Sequence, residues 1–139
     1  MKLTKPKRYF MKKNEELSIL EKALKRFAEA LAVNARVTPI AIDGAIQRFE
    51  FCYELMWKVL KKTLLTRENI DIQSPRQVLQ QAYTIGWIQD EKLWLKMAQD
   101  RNLTSHTYQE ELALNIYRNL PDYLQAMQKV CDNLKKPLS

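Results

Sequence analysis

Apolar residues recur three and four positions apart along almost the whole chain, the period of an amphipathic helix. Over about residues 14–35, Leu17, Leu20, Leu24, Phe27 and Leu31 form one stripe and predict a first helix. "NARVTP" ends it. Thr38 is a good N-cap, and Pro39 suits a first helical position, where its missing N–H costs nothing. A second helix is predicted over about 39–67, with Ile42, Ile46, Phe49, Tyr53, Met56, Leu60 and Leu64 as its seam. Phe51, Cys52, Leu55 and Val59 make a second apolar face. Asp43, Gln47, Glu50, Glu54, Lys58 and Lys61 fall in a polar stripe between the two. Apolar residues on two sides mark a central bundle element, or one that also meets a second subunit.

"SPRQVLQQAYTIGW" predicts a short third helix, with Ser74 as cap, Pro75 opening it, Gln77 completing a capping box and Gly86 as the left-handed stop. Asp90 is placed to cap a fourth helix through "EKLWLKMAQDRN". A fifth is predicted from about Tyr108 to Lys135, capped by Thr107, and Pro121 is expected to kink or split it. No stretch has a convincing strand period. The expected fold class is all-α, an antiparallel up-and-down bundle of about five helices.

Composition narrows the field. The chain of 139 residues fits one domain, and with only 2 Gly it has no Gly-rich phosphate loop. No apolar run approaches the roughly 18 residues needed to span a bilayer, and the N-terminus lacks the apolar stretch of a signal peptide. A cytoplasmic protein without membrane contact is expected. Cys52 and Cys131 sit in apolar helical patterns without CxxC spacing, and read as small buried hydrophobes in a reducing compartment rather than as a disulfide.

The net charge of +7 is uneven. Residues 1–13 carry six of the 23 basic residues and no acid, which leaves 17 basic against 16 acidic residues in the rest. The domain is therefore expected over 14–139, preceded by a basic arm at 1–13. That arm reads either as a solvated tail or as an electrostatic handle for RNA or an acidic partner.

The chain's single histidine lies in "DRNLTSHTY", at the joint between the fourth and fifth helices. On one continuous helix, Arg101 and His106 would point about 140° apart. A break at Thr107 lets Arg101, His106 and Tyr108 converge beside a helix N-terminus, which suits a phosphate. Arginine binds phosphate oxygens bidentately and stabilises transition-state charge. Histidine moves protons near neutral pH. The pair can activate a ribose 2′-hydroxyl and hold the phosphate it attacks, with no metal and no cofactor. Two histidines serve acid–base chemistry better than one, which favours a symmetric dimer. Taken alone, an R-x4-H spacing arises by chance in many proteins, as a helix-end charge and a loop residue.

The blocks "IQRFEFCYELMWKVLKKTL", "SPRQVLQQAYTIGWI" and "WLKMAQDRNLTSHTY", in this order and spacing, resemble the HEPN superfamily and its branch of nucleotidyltransferase substrate-binding proteins. The resemblance spans about residues 14–135. It implies a dimeric helical bundle with the R-x4-H motif lining a cleft between protomers, and in many members a metal-independent endoribonuclease. Arg101 and His106 take the catalytic positions and Asn102 the supporting polar one. The resemblance also implies a toxin–antitoxin module, similar to type VII, with a minimal nucleotidyltransferase as partner. In such modules the transferase silences the nuclease by attaching AMP to the tyrosine, here Tyr108. The alternative is a non-catalytic subunit that presents a nucleotide or substrate to a nucleotidyltransferase.

Overall fold

The computed structural model describes residues 7–136, with side chains from Glu15 onward. Among these residues it contains five α-helices and no strand. They are α1 (Lys7–Ala32), α2 (Ile40–Glu68), α3 (Pro75–Ile85), α4 (Glu91–Leu103) and α5 (Glu110–Lys135), with a 3-10 turn at Thr104–His106 between the last two. None is long and apolar enough to cross a membrane. The backbone at 7–13 already belongs to α1, so the helix starts before Asn14; "KRYFMKK" contains no breaker. Residues 1–6 of the basic segment lie outside the described residues.

The local signals near α3 and α4 act as expected. The Ser74 hydroxyl accepts from Gln77 N–H at 3.2 Å, and Asp90 Oδ1 accepts from Leu93 N–H at 3.1 Å. Gly86 takes φ 102°, which a side chain would strain. Three expectations need correction. Thr38 provides no side-chain cap for α2; Pro39 is itself in helical backbone at φ −59°, ψ −27°. Pro121 does not split α5, which runs unbroken through it; Leu120, Tyr123 and Met127 around it are fully buried and hold both halves to one core. Thr107 does not cap α5. Its hydroxyl donates back to the Thr104 carbonyl at 3.0 Å, and Gln109 precedes the helix without a side-chain cap bond.

The three long helices α1, α2 and α5 pack on one another, with α3 against α2 and α4 against α5. Phe49 sits where the long helices meet. Its ring stacks on Tyr123 of α5, with centroids 5.4 Å apart, and meets Phe27 of α1 at 6.2 Å. All three are buried, so the predicted seam of α2 is the core seam. Burial of a side chain of this size contributes about 1.5–3 kcal/mol. The second predicted face of α2 divides: Cys52 and Val59 are buried, but Phe51 stays 54% exposed. Arg67 Nη2 donates to the Leu134 carbonyl at 2.8 Å and pins the end of α2 to the end of α5.

Candidate active site

The motif residues occupy the end of α4 and the turn after it. Arg101 lies in the last turn of α4, Asn102 follows it on the surface, and His106 closes the 3-10 turn. Tyr108 stands before α5, which begins two residues later at Glu110, and is 78% exposed. The chain thus breaks over residues 104–109, and the break is a 3-10 turn rather than a capped helix start. The first turn of α5 carries Glu110 and Glu111, whose negative charge offsets the pull of this helix end on a phosphate.

Arg101 is held by α2. Its Nη2 donates to Glu54 Oε1 at 3.2 Å, and its Nη1 lies 3.7 Å from Glu50 Oε2. Nη1 also donates to the Thr104 hydroxyl at 3.3 Å. That hydroxyl shares its single proton between Glu50 Oε2 at 2.9 Å and the Arg101 carbonyl at 2.8 Å. The other oxygen of Glu54 accepts from the Trp57 indole N–H at 3.1 Å. Arg101 Nε is buried and has no partner among the described residues, so the guanidinium keeps unused donor capacity. The polar stripe on α2 is therefore salt-bridged at its middle. Glu50, Glu54 and Thr104 are the residues that hold Arg101, and the motif did not reveal them.

A second anchor lies on the opposite side of α4. Asp100 Oδ2 accepts from the Tyr123 hydroxyl at 2.6 Å and from the Asn119 amide at 3.1 Å. Burial and the bond to Asp100 hold the Tyr123 phenol above its ordinary range. Asp100 faces α5 while Arg101 faces α2, so consecutive residues lock the end of α4 to both neighbours.

His106 makes no hydrogen bond to Arg101 among the described residues; both its ring and that of Tyr108 are exposed. The two rings meet edge to face with centroids 6.1 Å apart. An exposed imidazole, a half-buried guanidinium held by carboxylates and an exposed phenol thus share one end of the bundle. Asn102 and Arg101 also line a groove of about 720 Å³ between α2, α3 and α4.

A family model described as "Nucleotidyltransferase substrate binding protein like" matches residues 15–136. A Haemophilus influenzae protein named "Probable ribonuclease HepT" is 34% identical over 99 residues, which is 68% of this chain and 68% of that protein. A solved structure from Thermus thermophilus, 38% identical, covers 84% of this chain and 99% of its own with a TM-score of 0.78. Another, from Haemophilus influenzae, is described as revealing the fold of a substrate-binding domain of a nucleotidyltransferase. It is 28% identical and covers 86% of this chain and 99% of its own, with a TM-score of 0.75.

Proposed function

The chain belongs to the nucleotidyltransferase substrate-binding protein-like family, with its HEPN-like helical fold, and from that premise we propose that it is a metal-independent endoribonuclease. The observation that carries this reading is the Arg101 guanidinium, fixed between Glu50 and Glu54 one turn before an exposed His106. The printed name of the 34%-identical relative supports it.

In the proposed reaction, Arg101 binds the scissile phosphate and Asn102 adds a polar contact. An imidazole takes the proton of the ribose 2′-hydroxyl, whose oxygen forms a new bond to phosphorus. The bond to the 5′-oxygen breaks, and a protonated imidazole supplies the proton for that leaving oxygen. The products are a 2′,3′-cyclic phosphate and a 5′-hydroxyl. The acid and the base are the His106 residues of two protomers in a homodimer.

Tyr108 is the control point. A partner minimal nucleotidyltransferase transfers AMP from ATP to its phenolic oxygen, with pyrophosphate leaving. The bulky anion then sits beside His106, blocks RNA and occupies the cationic site. Together these steps make the chain the toxin of a toxin–antitoxin pair.

RNA incubated with the purified protein and a strong chelator tests the activity: fragments ending in 2′,3′-cyclic phosphate support it, and intact RNA contradicts it. A second reading, a non-catalytic substrate-binding subunit of a nucleotidyltransferase, draws on the description of the 28%-identical structure. It requires stoichiometric association with the transferase and no cleavage by this chain.

A further inference from the structure

The groove between α2, α3 and α4 runs from Arg101 and Asn102 on α4 to the first turn of α3, where Ser74 and Arg76 lie. Its volume of about 720 Å³ falls in the range of small-ligand sites. Tyr53 and Trp94, both buried, contribute to its base. Tyr83, 43% exposed, and the partly exposed Trp57 offer ring surface to an occupant. Arg76 makes no ion pair among the described residues. Of the two acids on the wall, Glu54 is already paired with Arg101, and Glu91 is exposed where α4 begins.

We propose that this groove is a subsite for one nucleotide of a single-stranded RNA, with its base against Trp57 and Tyr83 and an adjoining phosphate at Arg76. The proposal rests on the endoribonuclease reading and adds how the substrate is held beside the cut. Aromatic rings with nearby cations are the usual means of binding unpaired bases without a sequence code. Two features favour an RNA strand over an isolated small molecule. Arg101 and Asn102, the first two residues of the R-x4-H motif, line the groove, so a base seated in it lies beside them. The Trp57 indole and the Arg101 guanidinium also share one carboxylate, Glu54, at 3.1 and 3.2 Å. A base that settles on Trp57 therefore bears on the group that positions the phosphate binder.

The test uses full-length His106→Ala protein, expected to bind RNA without cutting it, and fluorescence anisotropy with a labelled single-stranded oligoribonucleotide. Tyr83→Ala and Arg76→Ala, neither of them in the buried core, are each added to it. Each is expected to weaken binding by about 5- to 50-fold, and Arg76→Ala to reduce the salt dependence by about one phosphate contact. Unchanged affinity in both overturns the subsite. So does a change in oligomeric state with RNA affinity intact, which makes the groove a contact between copies. Loss of ATP or AMP binding, with RNA binding retained, assigns the groove to a free nucleotide and overturns the RNA assignment. If the parent His106→Ala protein binds no RNA at all, the subsite and the nuclease reading fall together. Unaltered RNA binding by the groove variants sinks the subsite alone.

Discussion

Arg101 Nη2 stands 3.2 Å from Glu54 Oε1, which ties the end of α4 to α2 across 47 residues of chain. Glu50 completes the grip from one turn earlier on α2. These side chains remain 28–41% exposed, so each pair contributes only about 0–1 kcal/mol to stability. Their main effect is to fix where the guanidinium sits, and a misplacement on the order of 1 Å costs up to about 100-fold in rate. Glu54→Gln is expected to slow RNA cleavage roughly 10- to 100-fold while lowering Tm by only a few degrees. A large loss of Tm with an unchanged rate per folded molecule would contradict the positioning role.

The clasp between Asp100 and Tyr123 has the opposite balance. Tyr123 is fully buried and donates a 2.6 Å bond to a carboxylate. Tyr123→Phe keeps the ring and its stacking on Phe49, but deprives Asp100 of its shorter hydrogen bond. Loss of a hydrogen bond to a charged group costs about 1.5–3 kcal/mol, measurable by urea unfolding at neutral pH. An unchanged urea midpoint would show that the bond contributes nothing.

The two thiols predict how stability responds to alkali. Burial pushes Cys52 from 9.0 up to about 12, with the neighbouring Cys131 adding to the shift. Burial likewise pushes Cys131 to about 12, with Glu21 as the next contribution. The folded state keeps these protons while the unfolded state loses them, so the stability is intact below pH 9 and is lost as pH rises toward 12. Between pH 9 and 10, before tyrosines dominate, unfolding free energy should fall more steeply in the wild type than in a Cys52→Ala, Cys131→Ala variant. The limiting slope is about 1.4 kcal/mol per pH unit for each thiol. Equal slopes in the two proteins would remove the thiols from the account.

At 78% exposure, Tyr108 is open to a modifying enzyme and contributes little to folding. Tyr108→Phe should leave unfolding free energy within about 0.5 kcal/mol of the wild type and leave cleavage intact. If the proposed silencing holds, intact-mass spectrometry after co-expression with a minimal nucleotidyltransferase should show the wild type heavier by whole AMP units, and Tyr108→Phe unshifted. A shift that survives the substitution would place the modification elsewhere.

Much of the architecture was legible because its signals are local. Ser74, Gly86 and Asp90 act within three or four residues, and the core stripes of α1, α2 and α5 follow from helical period alone. Asn69 escaped notice as the left-handed end of α2, at φ 56°, because a non-glycine rarely advertises that conformation. Pro121 does not split α5 because its local cost is outweighed by tertiary burial on both sides of it. At the site, the R-x4-H spacing marked Arg101 and His106, but not what holds the arginine. Glu50 and Glu54 looked like two members of a polar stripe, and only the packing of α4 against the rest of the bundle makes them its partners.

The central claim is that Arg101 and His106 cut RNA without a metal. The direct measurement is the single-turnover cleavage rate of a defined single-stranded RNA in excess chelator, for wild type, Arg101→Ala and His106→Ala proteins with matched folding by circular dichroism. The account predicts cleavage by the wild type and a loss of at least about 100-fold in each variant. Wild-type rates in both variants, or no cleavage by any of the three, would contradict it.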